Sequence, residues 1–186
     1  IQITKTSLAG ATDLRMICKY TVGFDNVDVD AASEQGVLVV HSPTECNWGG
    51  VAEGTMANIL TVLKKTREKD RHVKNGEWRD PSLQSHYLGR RQDGYEGMTI
   101  GIIGLGRIGS RLADLFQPWR VRILAFDPYV DESVFVHHNA TPVDMDTLLR
   151  ESDVVTLHTN LTRETKKLIC AAELGKMKKS AILVNA

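Results

Sequence analysis

The stretch MTIGIIGLGRIGSRLADLF at residues 98–116 constrains the fold of this 186-residue chain more than any other feature. Its glycines Gly104, Gly106 and Gly109 have the spacing Gly-x-Gly-x-x-Gly, which is weak evidence alone because short glycine patterns recur by chance. The preceding residues, Thr99–Ile103, form an apolar, β-branched run that is typical of a short strand. Apolar residues then recur on one face of a helix, namely Ile108, Leu112, Leu115, Phe116 and Trp119. The glycines therefore lie on a predicted strand-to-helix turn.

This context gives each glycine a role in binding a phosphate group. Gly104 permits the tight turn, Gly106 has no Cβ to keep an anion from the backbone, and Gly109 lets the helix pack closely on the strand. The N-terminus of the helix adds N–H groups and a partial positive charge. A second apolar run, VRILAFD, ends at Asp127, whose carboxylate can accept hydrogen bonds from both ribose hydroxyls of an adenosine. We therefore predict a dinucleotide site here and not only a structural turn.

The composition favours a soluble globular chain, with 42% hydrophobic and 25% charged residues. Lysine plus arginine and aspartate plus glutamate both total 23, so the charge gives no reason to expect nucleic acid or an anionic membrane as a partner. No apolar run approaches the roughly 20 residues needed to cross a bilayer, and the first residues, IQITKTSLAG, lack the features of a signal peptide. The absence of a starting methionine indicates part of a longer chain.

The cysteines Cys18, Cys46 and Cys170 are widely spaced and form no C-x-x-C motif, which argues against a disulfide framework or a zinc site. A cytoplasmic protein fits this pattern best. Cys18 lies in an apolar run, and we expect it to be buried as a small hydrophobic side chain. His137 and His138 are adjacent and lack the spacing of metal ligands, so we predict that they lie in a surface loop.

Strands and helices alternate along the chain, which predicts an α/β fold with a doubly wound parallel sheet. In the first half, RMICKY and VLVVHS are predicted strands joined by a short helix, and a long helix is predicted from about Val51 to about Lys74. The segment Gly76–Gly97 has weak periodicity and is predicted to connect two domains, 1–92 and 93–186.

The second half continues the alternation after Asp127. A loop is predicted first, followed by the helix DMDTLLRES, the strand VVTLHTN, the helical stretches TRETKKLIC and AAELGKMKK, and the strand AILVNA. The chain contains no Gly-x-Ser-x-Gly elbow and no Walker lysine, so the sequence does not support a hydrolase or an NTPase.

Several motifs resemble, in order, those of the D-isomer-specific 2-hydroxyacid dehydrogenases, of which phosphoglycerate dehydrogenases and glyoxylate/hydroxypyruvate reductases are familiar members. They are KYTVGFDNVDVDAASEQGVLVV, VAEGTMANIL, TIGIIGLGRIG, FDPY and DVVTLHTNLTRETKKLI. The resemblance covers nearly the whole chain. It implies part of a flavodoxin-like α/β substrate domain with a connecting arm at 1–92, and a C-terminally incomplete Rossmann NAD-binding domain at 93–186. It also implies a homodimer, with the active site in the cleft between the domains.

The activity implied by the resemblance is NAD-dependent oxidoreduction. A hydride would pass between the nicotinamide and carbon 2 of a small 2-hydroxy or 2-oxo acid, and the cofactor would supply the redox chemistry. An alternative stays open because corepressor relatives of the family are similar: a regulatory module that senses NAD without turnover. No residue before Ala186 matches the catalytic arginine, glutamate and histidine of the family. We therefore assign no catalytic residue and expect these three to follow in a longer parent protein.

The resemblance also implies roles for individual residues on the substrate side. Val22 and Gly23, in VGFDN, would offer backbone N–H groups to the substrate carboxylate, and Val22 would also touch the cofactor. Gly23 would allow close backbone approach to an anion, with a plain β-turn as the alternative. Asn47 would line the same cleft.

On the cofactor side, the resemblance implies that Arg107 and Ile108 cover the pyrophosphate beside the glycine turn. Thr159 would border the adenosine. His158 would belong to the wall of the cofactor site and would not act as a catalytic base. Ala186, which ends the last predicted strand, completes the residues assigned to the cofactor. No metal site is predicted.

Overall fold

Strands and helices alternate throughout the computed structural model, which describes all residues from Ile1 to Ala186. Every pairing between the strands is parallel. The chain divides into two compact units, Ile1–Gly50 and Val51–Ala186. The predicted α/β class is therefore confirmed. No helix is both long enough and apolar enough to cross a membrane.

The first unit contains α1 Lys5–Ala9, β1 Met16–Lys19, α2 Val29–Glu34 and β2 Leu38–His41. The strands β1 and β2 pair in parallel, and α2 connects them. The Asp28 carboxylate accepts a hydrogen bond of 3.0 Å from the Ala31 N–H, which caps the start of α2. The core of this unit consists of Leu8, Ile17, Val27, Ala31, Ala32 and Val37.

Cys18 is exposed, and the prediction that it is buried is wrong. Side chains alternate across a strand, and in β1 it is the neighbouring Ile17 that faces the core. The apolar run that suggested burial does not by itself identify the inward face of the strand.

The long helix predicted from Val51 to Lys74 is two helices, α3 Glu45–Lys64 and α4 Thr66–Lys74. Lys65 between them has a φ of 51°, a left-handed conformation that interrupts the helix. One face of α3 is buried, with its residues three or four positions apart: Ala52, Thr55, Ile59 and Leu63. The apolar members of this face belong to the main hydrophobic core of the second unit.

The compact units divide between Gly50 and Val51, whereas the predicted domain boundary follows residue 92. The connecting segment packs with the residues that come after it, because Leu88 and the buried face of α3 share one hydrophobic core with Ile100. The assignment of the two predicted domains to substrate and to NAD stays a prediction.

The second unit contains a parallel sheet with helices between its strands. The strands are β3 Thr99–Ile103, β4 Arg122–Phe126, β5 Thr141–Pro142, β6 Val154–Leu157 and β7 Ile182–Asn185. The helices are α5 Arg107–Phe116, α6 Glu132–His137, α7 Met145–Glu151 and α8 Ala171–Lys176. The strand order is β5-β4-β3-β6-β7, and all of the central strand β3 is buried, as expected for a parallel sheet covered on both faces. The chain moves outward from β3 to β5 and returns to β6, so the predicted doubly wound topology is confirmed.

Two segments differ from their predicted secondary structure. The helix α6 occupies a region predicted as a loop, so His137 is helical and His138 ends the helix, with its Nδ1 2.8 Å from the Asp114 carboxylate. The stretch TRETKKLIC forms turns instead of a helix. There the Thr165 hydroxyl accepts a hydrogen bond of 2.7 Å from the Thr162 N–H, and such side-chain bonds compete with the helix.

Candidate functional site

The carboxyl ends of β3 and β6 meet where the winding of the sheet reverses direction, and ligands of open α/β sheets bind at such a switch point. Gly104 directly follows β3, and His158 directly follows β6. A cavity of about 660 Å³ lies at this edge of the sheet. Its lining includes the predicted residues Gly104, Gly106, Asp127, His158 and Thr159. The structure thus brings half of the predicted cofactor residues to one cavity.

The glycine turn leaves no room for side chains at two of its three positions. Gly104 has a φ of 93°, and a Cβ there would lie 2.8 Å from the His158 carbonyl oxygen. A Cβ on Gly109 would collide with the Gly104 carbonyl oxygen, so α5 can approach the turn this closely only at a glycine. A Cβ on Gly106 would meet no protein atom within 4 Å. Because Gly106 lines the cavity, the space beside it is open to a ligand.

The N-terminus of α5 adjoins this open space. Gly106 is the N-cap of the helix, and no side chain caps this end. The N–H groups of the first turn and the helix dipole together favour an anion at such a position. The arrangement suits the pyrophosphate of a dinucleotide.

The Asp127 carboxylate is held beside the cavity by two backbone N–H groups. Leu105, inside the glycine turn, donates to one oxygen at 2.8 Å, and Tyr129 donates to the other at 2.9 Å. An ionised carboxylate has about four acceptor positions, so about two remain for a ligand. Asp127 can therefore accept hydrogen bonds from the hydroxyls of a ribose.

His158 forms an uncharged part of the cavity wall. Its Nε2 lies 3.0 Å from the Thr156 hydroxyl oxygen, and its buried Nδ1 has no hydrogen-bond partner. Burial lowers the pKa of His158 from 6.5 to about 4, because the imidazolium loses hydration. The ring is neutral at physiological pH, which is compatible with the place in a cofactor wall that the resemblance implies for it.

We expect acid to destabilise the chain through His158. The pKa of His158 in the folded state lies below its unfolded value, so between pH 6.5 and about pH 4 the unfolded chain binds more protons than the folded chain. The free energy of unfolding therefore decreases as the pH is lowered through this range. The expected loss is about 2 kcal/mol at about pH 5. Urea unfolding of the wild type and of His158→Gln, at neutral pH and at about pH 5, measures this loss. An equal loss in both proteins would contradict the prediction, because the variant lacks the titrating ring.

Sequence reasoning missed the polar side chains that complete the cavity. Tyr129 follows β4, and Arg163 and Glu164 follow β6. The Tyr129 hydroxyl donates a hydrogen bond of 2.6 Å to the Glu164 carboxylate. The signal that could have found them is position, because FDPY and LTRET both follow predicted strands and the carboxyl ends of parallel strands share one edge.

Other predicted cofactor residues do not line the cavity. Arg107 and Ile108 begin α5, and Gly109 packs beneath the glycine turn. Ala186 is exposed beyond the end of β7. Their contacts with a cofactor stay predictions.

Val22, Gly23 and Asn47 belong to the first unit, and all three have polar partners within it. The Val22 carbonyl oxygen lies 2.9 Å from His41 Nδ1. The Asn47 side-chain oxygen accepts a hydrogen bond of 3.2 Å from the Thr44 N–H at the start of α3, so this oxygen stabilises the helix terminus. The substrate contacts of all three residues stay predictions.

The sheet topology, the glycine turn and the carboxylate at the end of β4 together define a dinucleotide-binding α/β domain. The chain belongs to the D-isomer specific 2-hydroxyacid dehydrogenase family. The profile of the family's NAD binding domain matches residues 56–186. This match includes the whole sheet of the second unit and the cavity at its edge.

The chain is similar to the glyoxylate reductase of Thermococcus litoralis, with 35% identity over 99% of this chain and 55% of that protein. It is 36% identical to the D-3-phosphoglycerate dehydrogenase of Archaeoglobus fulgidus, over 96% of this chain and 32% of that protein. The crystal structure of D-lactate dehydrogenase from Aquifex aeolicus, complexed with NAD and lactic acid, has a TM-score of 0.88 and 32% identity. That similarity covers 99% of this chain and 53% of the other. The chain therefore spans about half the length of these relatives or less.

Proposed function

We propose that the cavity beyond β3 and β6 binds the adenosine and pyrophosphate of NAD. One observation carries the proposal: the glycine turn and the Asp127 carboxylate lie side by side, joined by the hydrogen bond from the Leu105 N–H. The family's NAD-binding profile and a similar structure complexed with NAD support it. The open space at Gly106 supports it too. A pyrophosphate can approach the backbone closely only where no Cβ occupies that space.

We further propose that the protein is an NAD-dependent oxidoreductase of small 2-hydroxy and 2-oxo acids. Relatives that act as glyoxylate reductase and D-3-phosphoglycerate dehydrogenase support this substrate class. Bound NAD supplies the hydride chemistry. The residues of this chain bind and orient: Gly106 and the N-terminus of α5 hold the pyrophosphate, and Asp127 holds the ribose. His158 adds a neutral, partly buried surface that keeps water from the cofactor.

On the substrate side, the backbone N–H groups of Val22 and Gly23 would bind the carboxylate of the acid, and Asn47 would add a polar contact. Val22, Ile108, Thr159 and Ala186 would complete the contacts with NAD, and Arg107 would cover its pyrophosphate. We also propose that the protein is a cytoplasmic homodimer. These roles rest on resemblance to the family.

Gly106→Ala is expected to weaken NADH binding about tenfold, because its methyl group would enter the space proposed for the pyrophosphate. The methyl group meets no protein atom within 4 Å, so the ligand-free chain keeps its fold. Its stability falls by at most about 1 kcal/mol, owing to the poorer N-cap. Calorimetric titration with NADH and thermal unfolding measure the two effects. An unchanged NADH affinity would mean that the pyrophosphate does not bind beside Gly106.

The enzyme and the NAD-sensing module of the alternative hypothesis differ in turnover. The full-length protein, assayed for NADH oxidation with hydroxypyruvate, glyoxylate, phosphohydroxypyruvate and bulkier 2-oxo acids, should consume NADH with at least one of them. NADH binding without oxidation by any member of the panel would favour the regulatory module.

A further inference from the structure

Tyr129 links two carboxylates on the wall of the cavity. Its N–H donates to Asp127 at 2.9 Å, and its hydroxyl donates to Glu164 at 2.6 Å. The hydrogen bond to Glu164 raises the pKa of the Tyr129 hydroxyl, and the charge of Glu164, burial and the charge of Asp127 add to this effect. One residue thus holds both carboxylates, Asp127 through its backbone and Glu164 through its side chain, and both carboxylates line the same cavity.

The other charges of the cavity do not neutralise this pair. Among the lining residues, Arg163 is the one permanent cation, while Asp127 and Glu164 are both carboxylates. His158 is neutral at physiological pH because burial lowers its pKa to about 4. The wall where Asp127 would hold a ribose therefore carries a net negative charge.

We propose that Glu164, positioned by Tyr129, acts together with Asp127 to select NAD over NADP. The inference rests on the proposed function, since it assumes that Asp127 faces the adenosine ribose. A ribose with free hydroxyls can donate to carboxylate oxygens. A phosphate ester on the 2′ oxygen carries a charge of about −1.5 to −2, has no proton to donate at that oxygen, and is repelled by each carboxylate. Glu164 adds a second repulsive charge to the one that Asp127 supplies.

Glu164→Gln tests the proposal with little risk to the fold, because glutamine has nearly the same size and keeps an oxygen that can accept from Tyr129. The ratio of the Kd for NADP to the Kd for NAD, measured by calorimetry on the purified chain, should fall about tenfold, the order of one unit-charge interaction near a protein surface. The fall should shrink in high salt, because salt screens exposed charges.

Two further variants separate position from charge. Tyr129→Phe keeps the ring and removes the hydrogen bond to Glu164, so Glu164 keeps its charge but is no longer held in position. The ratio of the Kd for NADP to the Kd for NAD should therefore fall by a smaller factor than in Glu164→Gln. Glu68→Gln removes the same charge from α4, at an exposed side chain that does not line the cavity, and should leave the ratio unchanged.

The outcomes distinguish this inference from the proposed function. Suppose that the wild type binds NAD and that Asp127→Ala binds it more weakly. An unchanged Kd ratio in Glu164→Gln would then overturn the role of Glu164 but not the proposed NAD site. An equal fall in Glu68→Gln also overturns it, because net charge alone would then explain the effect. A wild-type chain that binds neither dinucleotide overturns the proposed function and this inference together.

Discussion

Gly109→Ala should lower the free energy of unfolding by about 2–3 kcal/mol, the cost of forcing a methyl group into a packed site. The added Cβ would overlap the Gly104 carbonyl oxygen and would lie 3.1 Å from the Ile102 side chain. The carbonyl belongs to the backbone of the turn, so it cannot rotate away as a flexible side chain could. For a chain of this length, the midpoint of thermal unfolding should fall by about 5–10 °C. Because the strain separates α5 from the turn, NADH affinity should fall as well.

Gly175→Ala provides the matched control for this substitution. Gly175 lies in α8, and a Cβ there would meet no protein atom within 4 Å. Alanine is the better helix former by about 0.5–1 kcal/mol, so this variant should be as stable as the wild type or slightly more stable. If Gly109→Ala unfolds at the same temperature as Gly175→Ala, close packing of the helix on the turn does not require a glycine.

Asp127→Ala should raise the Kd for NADH about tenfold to a hundredfold, since a hydrogen bond to a charged group contributes about 1.5–3 kcal/mol. NADPH binding should be little affected or improved, because the substitution removes a charge that repels the 2′-phosphate. Fluorescence titration of the wild type and the variant with both reduced dinucleotides measures the effect.

Asp131→Ala controls for the loss of a negative charge in the same unit. Asp131 is exposed, lies at the N-cap of α6 without a side-chain capping bond, and does not line the cavity. Its substitution should leave both affinities near those of the wild type. A wild-type chain that binds NADPH as tightly as NADH would show that Asp127 does not have the role proposed for it.

The local elements of the site could be predicted because each depends on neighbours in sequence. Thr99–Ile103 is an apolar run of strand length, and the residues after Arg107 repeat with the helical period. A strand followed at once by glycines and then by a helix has few ways to fold, so the turn and the places of Gly104 and Asp127 were predictable. Alternation of strands and helices likewise sufficed for the parallel, doubly wound class.

Errors arose where local preference competes with distant packing or with side-chain hydrogen bonds. The exposure of Cys18 depends on which face of β1 meets the core, and the break at Lys65 interrupts a sequence with good helix formers on both sides. In TRETKKLIC, the hydrogen bond between Thr162 and Thr165 replaces helical bonds. The packing of Leu88 in the core of the second unit likewise joins residues distant in sequence, and no local pattern indicates such a contact.

The sequence by itself determined the chemistry of one half of the cavity, namely the glycine turn, the carboxylate at the end of β4 and the strand that leads to His158. Only the tertiary structure decided the other half. The pairing of β3 with both β4 and β6 brings two distant loops to one edge, and there the Tyr129 hydroxyl meets the Glu164 carboxylate at 2.6 Å. No local periodicity encodes that contact, because it depends on the order of strands in the sheet, which is set by long-range packing of buried residues.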